Sequence, residues 1–350
     1  MMSDLASRLK GVRRELKKRS LDSLLVSDGS NVTYLSGFTG SDSVLLITPD
    51  SQFFLTDSRY IEEARSSVKG FAVTEISSST YETIGTIVRK NRIKKLGFEA
   101  MNLPYQVAGN LKRHVGGAKL AGVVNLVEGL RMVKDSSEIA LIKASVKLTR
   151  RVLKEAMSSI EPGKSERSIS SGIECAFLKA GAKACFQTIV ACGHNSSKPH
   201  AHPTLARIAK NDAVMIDVGC SLDSYCSDMT RMAFVGSVKN RIKEIYSIVK
   251  TAQDMAIDAV RPGKGVSEID SAGRRYIESK GYGRFFGHSM DHGVGLDVHE
   301  EPSISRKSAE TIKPGMVFTV EPAIYIPGLG GVRIEDMVLV TEKGCRILTR

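Results

Sequence analysis

Apolar positions follow two different periods along this chain. Ile139, Ile142, Val146, Leu153 and Met157 recur at helical spacing, which predicts one long helix over residues 135–160. Asp135 stands at its start with Glu138 three residues on, the pattern of a capping box, and Glu161-Pro-Gly-Lys164 ends it. A basic amphipathic helix is predicted over 3–19, and shorter helices over 59–68, 79–90 and 103–115. Continuous apolar runs predict strands at 23–27, 71–75 and 95–98. Two more runs, Ser43–Thr48 and Gln52–Thr56, flank Pro49-Asp50-Ser51 and read as a hairpin. Residues 31–40, rich in turn formers, read as an irregular joint. Strands and helices mixed in this way predict a small α/β domain over 1–125 and a second domain over 126–350. A chain of 350 residues exceeds what one core usually serves.

The second domain contains a repeat. Ile160-Glu-Pro-Gly-Lys164 is echoed by Val260-Arg-Pro-Gly-Lys264, and the register persists, with Ile169 matching Ile269, Gly181 matching Gly281 and Phe186 matching Phe286. In each copy a helix precedes Pro-Gly-Lys, another follows it, and strands come next. A match of this length predicts a duplicated α+β unit whose halves face each other about a pseudo-two-fold axis.

Acids interrupt the apolar strands of both copies. Asp217 follows Val214-Met215-Ile216, and Glu321 follows the apolar run Met316-Val317-Phe318; Asp228 and Glu335 complete two pairs. A carboxylate at the end of a buried strand costs free energy unless it is paired or coordinates a metal. Asp217 and Asp228 are separated by an odd interval, so they converge only across a turn near 221–224 or at a bulge. Ile326-Pro-Gly-Leu-Gly-Gly331 separates Glu321 from Glu335 and predicts a second hairpin. Four carboxylates with a nitrogen donor from His292 can hold two divalent ions. A mixed O/N set without thiolates suits Mn, Co, Zn or Fe and argues against a structural zinc. Two such ions make hydrolysis the natural reaction class. Six of the seven histidines fall between 194 and 299, which draws attention to His299 and His200 as donors to a developing oxyanion. His194, His202 and His288 carry a weaker signal.

Composition narrows the alternatives. Hydrophobic residues make up 42% and charged residues 25%, as in an ordinary globular protein. No apolar run approaches membrane-spanning length. Met1–Ser20 is basic with no apolar core and cleavage site behind it, so no secretory signal is expected and a cytoplasmic location is. Asp4 and Glu15 weigh against a mitochondrial presequence. The net charge of +12 is spread along the chain; its densest cluster, Arg13-Arg14 with Lys17-Lys18-Arg19, reads as a solvated helix face. Neither a nucleic-acid partner nor a membrane partner is expected. The six cysteines form no Cys-x-x-Cys and read as reduced thiols, not ligands.

Asp217, Asp228, His292, Glu321 and Glu335, within Met-Ile-Asp-Val-Gly, Ser-Asp-Met-Thr-Arg, Asp-His-Gly-Val-Gly, Thr-Val-Glu-Pro and Arg-Ile-Glu-Asp, resemble the five metal ligands of the pita-bread metallopeptidases. The whole chain, including Tyr34-Leu-Ser-Gly-Phe-Thr-Gly40 and Thr56-Asp-Ser-Arg-Tyr60, is similar to the two-domain branch of Xaa-Pro dipeptidases (prolidases) and Xaa-Pro aminopeptidases. The resemblance implies an α/β N-terminal domain and an α+β pita-bread catalytic domain. It implies two divalent ions per chain, Mn or Co first, with Zn or Fe compatible. Asp217 would chelate one ion, His292 and Glu321 the other, and Asp228 and Glu335 would bridge them. It further implies proton transfer by Glu321, substrate and transition-state roles for His200 and His299, a role for Arg333 beside the last ligand, Xaa-Pro peptides as substrates, and a homodimer. Dipeptidase activity is favoured over aminopeptidase activity on longer peptides. A methionine aminopeptidase would lack the first domain, and a creatinase or a non-catalytic pita-bread binding module would lack ligands that are all present here. One departure is Asp291, where the family usually has glycine before the ligand histidine; it is expected to put an extra carboxylate close to the metals.

Overall fold

The computed structural model describes residues 2–306 and 308–350. The chain forms two compact units, residues 1–131 and 132–350.

The first unit carries helices α1 (Met2–Lys18), α2 (Gly29–Ser36), α3 (Ile61–Ser67), α4 (Thr80–Lys90), α5 (Tyr105–His114) and α6 (Glu128–Arg131). Its strands are β1 (Ser23–Val26), β2 (Ser43–Ile47), β3 (Gln52–Thr56), β4 (Ala72–Glu75), β5 (Lys95–Glu99) and β6 (Lys119–Val123). They form one mixed sheet in the order β4-β3-β2-β1-β5-β6. The β2–β3 hairpin is antiparallel with Ile47 opposite Gln52, as the Pro-Asp-Ser turn requires. Leu25, Leu46, Leu55 and Leu96 from the sheet pack with Ile84, Val88 and Leu111 from α4 and α5. The irregular joint expected at 31–40 is corrected, because α2 runs through its first half. The Asp28 side chain accepts the Asn31 N–H at 2.9 Å and caps the helix, and Gly37 stops it in the left-handed region at φ 76°.

The second unit begins with α7 (Ser136–Ser158), α8 (Glu166–Lys179), β7 (Lys183–Ala184), β8 (Ile189–Cys192), a 3-10 turn at Gly193–Ser197 and β9 (Ala213–Val218). The α7 capping box is formed: Glu138 N–H donates to Asp135 Oδ1 at 2.9 Å, and Asp135 N–H to Glu138 Oε2 at 3.0 Å. A short hairpin follows, β10 (Cys220–Leu222) and β11 (Tyr225–Cys226), turning at Asp223-Ser224 with both φ angles positive. Then come β12 (Met229–Phe234), α9 (Asn240–Ala259), α10 (Val266–Ser279), β13 (Asp291–Gly293) and β14 (Glu300–Ile304). The chain ends with β15 (Val317–Val320), β16 (Ala323–Ile326), β17 (Gly330–Arg333), β18 (Asp336–Val340) and β19 (Cys345–Ile347).

The repeat is visible bond by bond. Gly163 N–H donates to Ile208 O and Gly263 N–H to Ile312 O, both at 2.9 Å. The reciprocal bonds, Ile208 to Lys164 O and Ile312 to Lys264 O, are also 2.9 Å. Gly163 and Gly263 both hold positive φ, 93° and 84°, which is why each copy has glycine after proline. Thus α7-α8 matches α9-α10, and β9 with β12 matches β15 with β18. The acids of both halves are carried on these antiparallel pairs. β12 pairs with β9 so that Thr230 lies opposite Asp217, and β18 pairs with β15 so that Asp336 lies opposite Val320. Asp228 precedes β12, Glu321 follows β15 and Glu335 precedes β18, so each acidic pair spans two neighbouring strands. At the end of β9 the chain passes so close to its return that a Cβ on Gly219 would lie 2.0 Å from the Ser227 carbonyl oxygen. Among the described residues, no helix is long and apolar enough to cross a membrane.

Candidate metal centre

The eight residues given metal, proton-transfer or substrate roles by the resemblance line one cavity of about 230 Å³: Asp217, Asp228, His292, Glu321, Glu335, His200, His299 and Arg333. Phe186, Gln187, Ile189, Ala201 and His202 form the rest of its wall. One donor atom each from Asp228, His292 and Glu335 lies within 4.8 Å of the other two. His292 Nε2 is 3.6 Å from both Asp228 Oδ2 and Glu321 Oε1. Its Nδ1 donates to the Gly293 carbonyl at 3.1 Å, which leaves the Nε2 lone pair facing the carboxylates. Burial, with His299 beside it, pulls His292 down to about 4, so the ring is neutral. The two imidazoles meet edge to face, 4.2 Å between centroids.

Asp228, Glu335 and Glu321 lie in surroundings that disfavour their charge. Burial pushes Asp228 well above the carboxylate range, and Glu335, Asp217 and Glu321 push it further. Burial does the same to Glu335, with Glu321 and Asp217 adding to it. Burial takes Glu321 up to about 8. Asp217 Oδ1 and Asp228 Oδ1 are buried without a hydrogen-bond partner. Three buried acids and the half-buried Glu321, two of the four with unpartnered oxygens, beside an imidazole lone pair are what divalent cations would neutralise and satisfy. The residues present therefore fit a metal centre.

Arg333 braces the wall from behind. Its guanidinium donates to Asp217 Oδ2 at 2.5 Å, Tyr325 Oη at 2.6 Å, the Pro199 carbonyl at 3.0 Å and Thr230 Oγ1 at 3.0 Å. Thr230 in turn donates to Glu335 Oε2 at 2.7 Å. Thr230 and Tyr325 are absent from the sequence expectations. Thr230 had a usable signal, since it lies two residues beyond Asp228 at strand spacing.

The other histidines separate. His202 reaches the cavity rim, where its Nδ1 lies 2.8 Å from Gln187 Oε1. His288 stands behind the wall, edge-on to Phe286 at 5.0 Å, and burial lowers it to about 4. His194 lies in the 3-10 turn, away from the cavity lining. Asp291 is also absent from the lining; its carboxyl accepts the Glu321 N–H. All six cysteines are free thiols.

Comparison with known proteins follows the same division of the chain. The profile described as metallopeptidase family M24 matches residues 140–342, and that of the creatinase/prolidase N-terminal domain matches residues 8–133. The Xaa-Pro dipeptidase of Pyrococcus horikoshii is 34% identical, over 100% of this chain and 98% of its own length. The solved structure of an Xaa-Pro dipeptidase from Bacillus anthracis superposes with a TM-score of 0.96 at 36% identity, covering 99% of this chain and 98% of that one. An X-Pro aminopeptidase from Thermotoga maritima superposes at 0.89 with 35% identity, covering 96% and 97%. The chain belongs to metallopeptidase family M24, with a creatinase/prolidase N-terminal domain ahead of a pita-bread peptidase domain.

Proposed function

We propose that this metallopeptidase is an Xaa-Pro dipeptidase with two divalent ions, Mn or Co, that cleaves small peptides N-terminal to proline. The observation that supports this most is the convergence of four carboxylates and His292 with His299, His200 and Arg333 on one cavity. We assign Asp217 to one ion, His292 and Glu321 to the other, and Asp228 and Glu335 to both. Bound there, such ions supply an activated water and a polarised scissile carbonyl.

The protein's own groups handle the protons and the substrate. Proline gives the scissile bond no N–H, so the departing nitrogen needs a proton delivered by a fixed group. Glu321, half-buried in the cavity wall, takes the proton of the attacking water and passes it to that nitrogen. His299 is lowered by burial and by nearby His200; as a neutral imidazole it donates to the tetrahedral oxygen. His200 holds the proline side. Arg333 keeps the Asp217 carboxylate turned, through their 2.5 Å bond. Phe186, Ile189 and Ala201 give the cavity an apolar wall suited to a proline ring.

The resemblance of the whole chain to the two-domain branch supports a homodimer, and the spread of the +12 net charge along the chain supports a reading without a nucleic-acid partner. Sedimentation at working concentration should give twice the chain mass; a fully active monomer would refute the dimer. The Thermotoga maritima neighbour favours a second reading, aminopeptidase action on longer peptides. Comparing an Xaa-Pro dipeptide with an Xaa-Pro-Xaa tripeptide and an Xaa-Ala dipeptide tests all of this. The dipeptide with proline should give the highest kcat/KM. Preference for the tripeptide would select the second reading, and equal cleavage of Xaa-Ala would remove the proline specificity.

A further inference from the structure

Asp291 breaks a rule of protein interiors. Its side chain is buried, 1% exposed, yet Oδ2 has no hydrogen-bond partner. A buried polar atom left unpaired is costly and calls for a reason. The other oxygen gives one. Asp291 Oδ1 accepts the backbone N–H of Glu321 at 2.7 Å. That N–H also points at the Met290 carbonyl, at 3.1 Å, so the side chain adds a shorter second acceptor to an ordinary ladder bond.

The location matters more than the bond count. β15 ends at Val320, and Pro322 has no N–H to give. The Glu321 amide is therefore the last donor before the chain turns away. Glu321 itself must present its carboxylate to the cavity, 3.6 Å from His292 Nε2. His292 is the next residue after Asp291, and its own N–H reaches Thr319 Oγ1 at 3.3 Å. β13 and the end of β15 are thus bonded to each other on both sides of the His292–Glu321 pair.

We propose that Asp291 is a positioning residue for the metal centre: its carboxyl oxygen holds the Glu321 backbone, and so fixes the Glu321 carboxylate against His292. This rests on the dinuclear reading above. It assigns Asp291 no contact with metal or substrate; the acceptor oxygen is what counts, and the carboxylate's charge is dispensable.

Co²⁺ titration of the metal-free protein tests this, followed by calorimetry and by the visible d–d absorption, which reports ligand geometry directly. Asp291→Asn retains an acceptor oxygen and should keep the wild-type spectrum and affinity. Asp291→Ala and Asp291→Leu, the second with the same branching at Cγ as Asn, lack the acceptor. Both should weaken Co²⁺ binding by about tenfold, the lower end of what loss of a ligand's supporting partner costs, and shift the absorption bands. Thermal unfolding in EDTA establishes that each variant is folded, and having two acceptor-free variants guards against one that is not. Wild-type binding and spectrum in Asp291→Ala and Asp291→Leu would overturn the assignment. So would an Asp291→Asn that falls with them, since charge would then be the property in use. A wild-type protein that takes up no Co²⁺ would instead sink the metal centre itself, and this inference with it.

Discussion

Arg333 shows how much of the cavity rests on single side chains. One guanidinium bonds an acid, a phenol, a hydroxyl and a carbonyl, a fan of contacts that a lysine ammonium could not reproduce. It presents Asp217 without itself being assigned to a metal. His299 stands at the opposite end of this logic, touching His292 by ring contact and otherwise facing the cavity. An oxyanion donor acts mainly in the transition state, so its loss should fall on kcat. His299→Ala is expected to lower kcat on an Xaa-Pro substrate by roughly a hundredfold, the scale of one lost oxyanion donor, with metal content intact. Metal lost together with activity would make His299 a ligand and refute its role. At this scale the lining of the cavity was largely legible, because Asp217 and Glu321 each follow an apolar run where a charge has no ordinary reason to be, and Asp228 and Glu335 pair with them. Thr230 and Tyr325 escaped notice because hydroxyls on strands are common, and their meaning comes only from where the Arg333 side chain reaches. Asp291 was noticed as a departure, but its direction was not. Strand alternation turns it away from the cavity while its neighbour His292 faces in.

Between residue and site stand the elements that carry the loops, and Glu166 in the first turn of α8 is the clearest case. Its two carboxylate oxygens accept from Cys192 N–H at 2.8 Å, Asn195 Nδ2 at 3.0 Å, Thr204 N–H at 2.9 Å and Thr204 Oγ1 at 2.6 Å. These partners bracket the segment that carries His200. Burial raises the Glu166 carboxyl, but the hydrogen bonds outweigh it, and the net shift is downward. The sign follows from linkage. A depressed folded-state pKa contributes stability above the unfolded value, about 4.3, and that stability is lost as pH falls through the folded value. Glu166→Gln should therefore cost about 2 kcal/mol at pH 7, the scale of hydrogen bonds to a charged group, and the gap to wild type should narrow in urea melts below about pH 4. A gap that is constant with pH would mean the charge contributes nothing. Elements of this kind were unevenly legible. The α7 cap and the β2–β3 hairpin follow from local side-chain chemistry. The α2 helix, read as an irregular joint, was not seen, because Tyr34-Leu-Ser-Gly37 looks like a turn until Asp28 is recognised as its cap. Strand β6 and helix α6 were also unforeseen, since Leu120-Ala-Gly-Val123 has a glycine inside the run and α6 is a single turn.

Across the whole second unit, duplication accounts for the site better than any local motif. Asp217 and Glu321 occupy equivalent places at the ends of β9 and β15, and Asp228 and Glu335 precede the equivalent strands β12 and β18. Each half supplies two carboxylates, and the first partner strand of the second half, β13, supplies the imidazole. Neither half has a complete donor set, so metal binding should join the two halves energetically. Without cations, Asp228 and Glu335 stand buried, and the neighbouring Glu321 and Asp217 raise their cost of ionisation further. Cations that bind only the folded state stabilise it by mass action, by about 2.7 kcal/mol when free metal is a hundred times Kd. Adding Mn²⁺ to EDTA-treated protein should accordingly raise the melting temperature by roughly 5–10 °C for a unit of this size. Asp228→Ala removes a donor assigned to both ions, so it should abolish most of that rise and lower the bound metal below wild type, although every other ligand remains. A variant that kept full stoichiometry, activity and the full thermal shift would show that Asp228 is not shared, and the two halves would then have to be read as merely packed together.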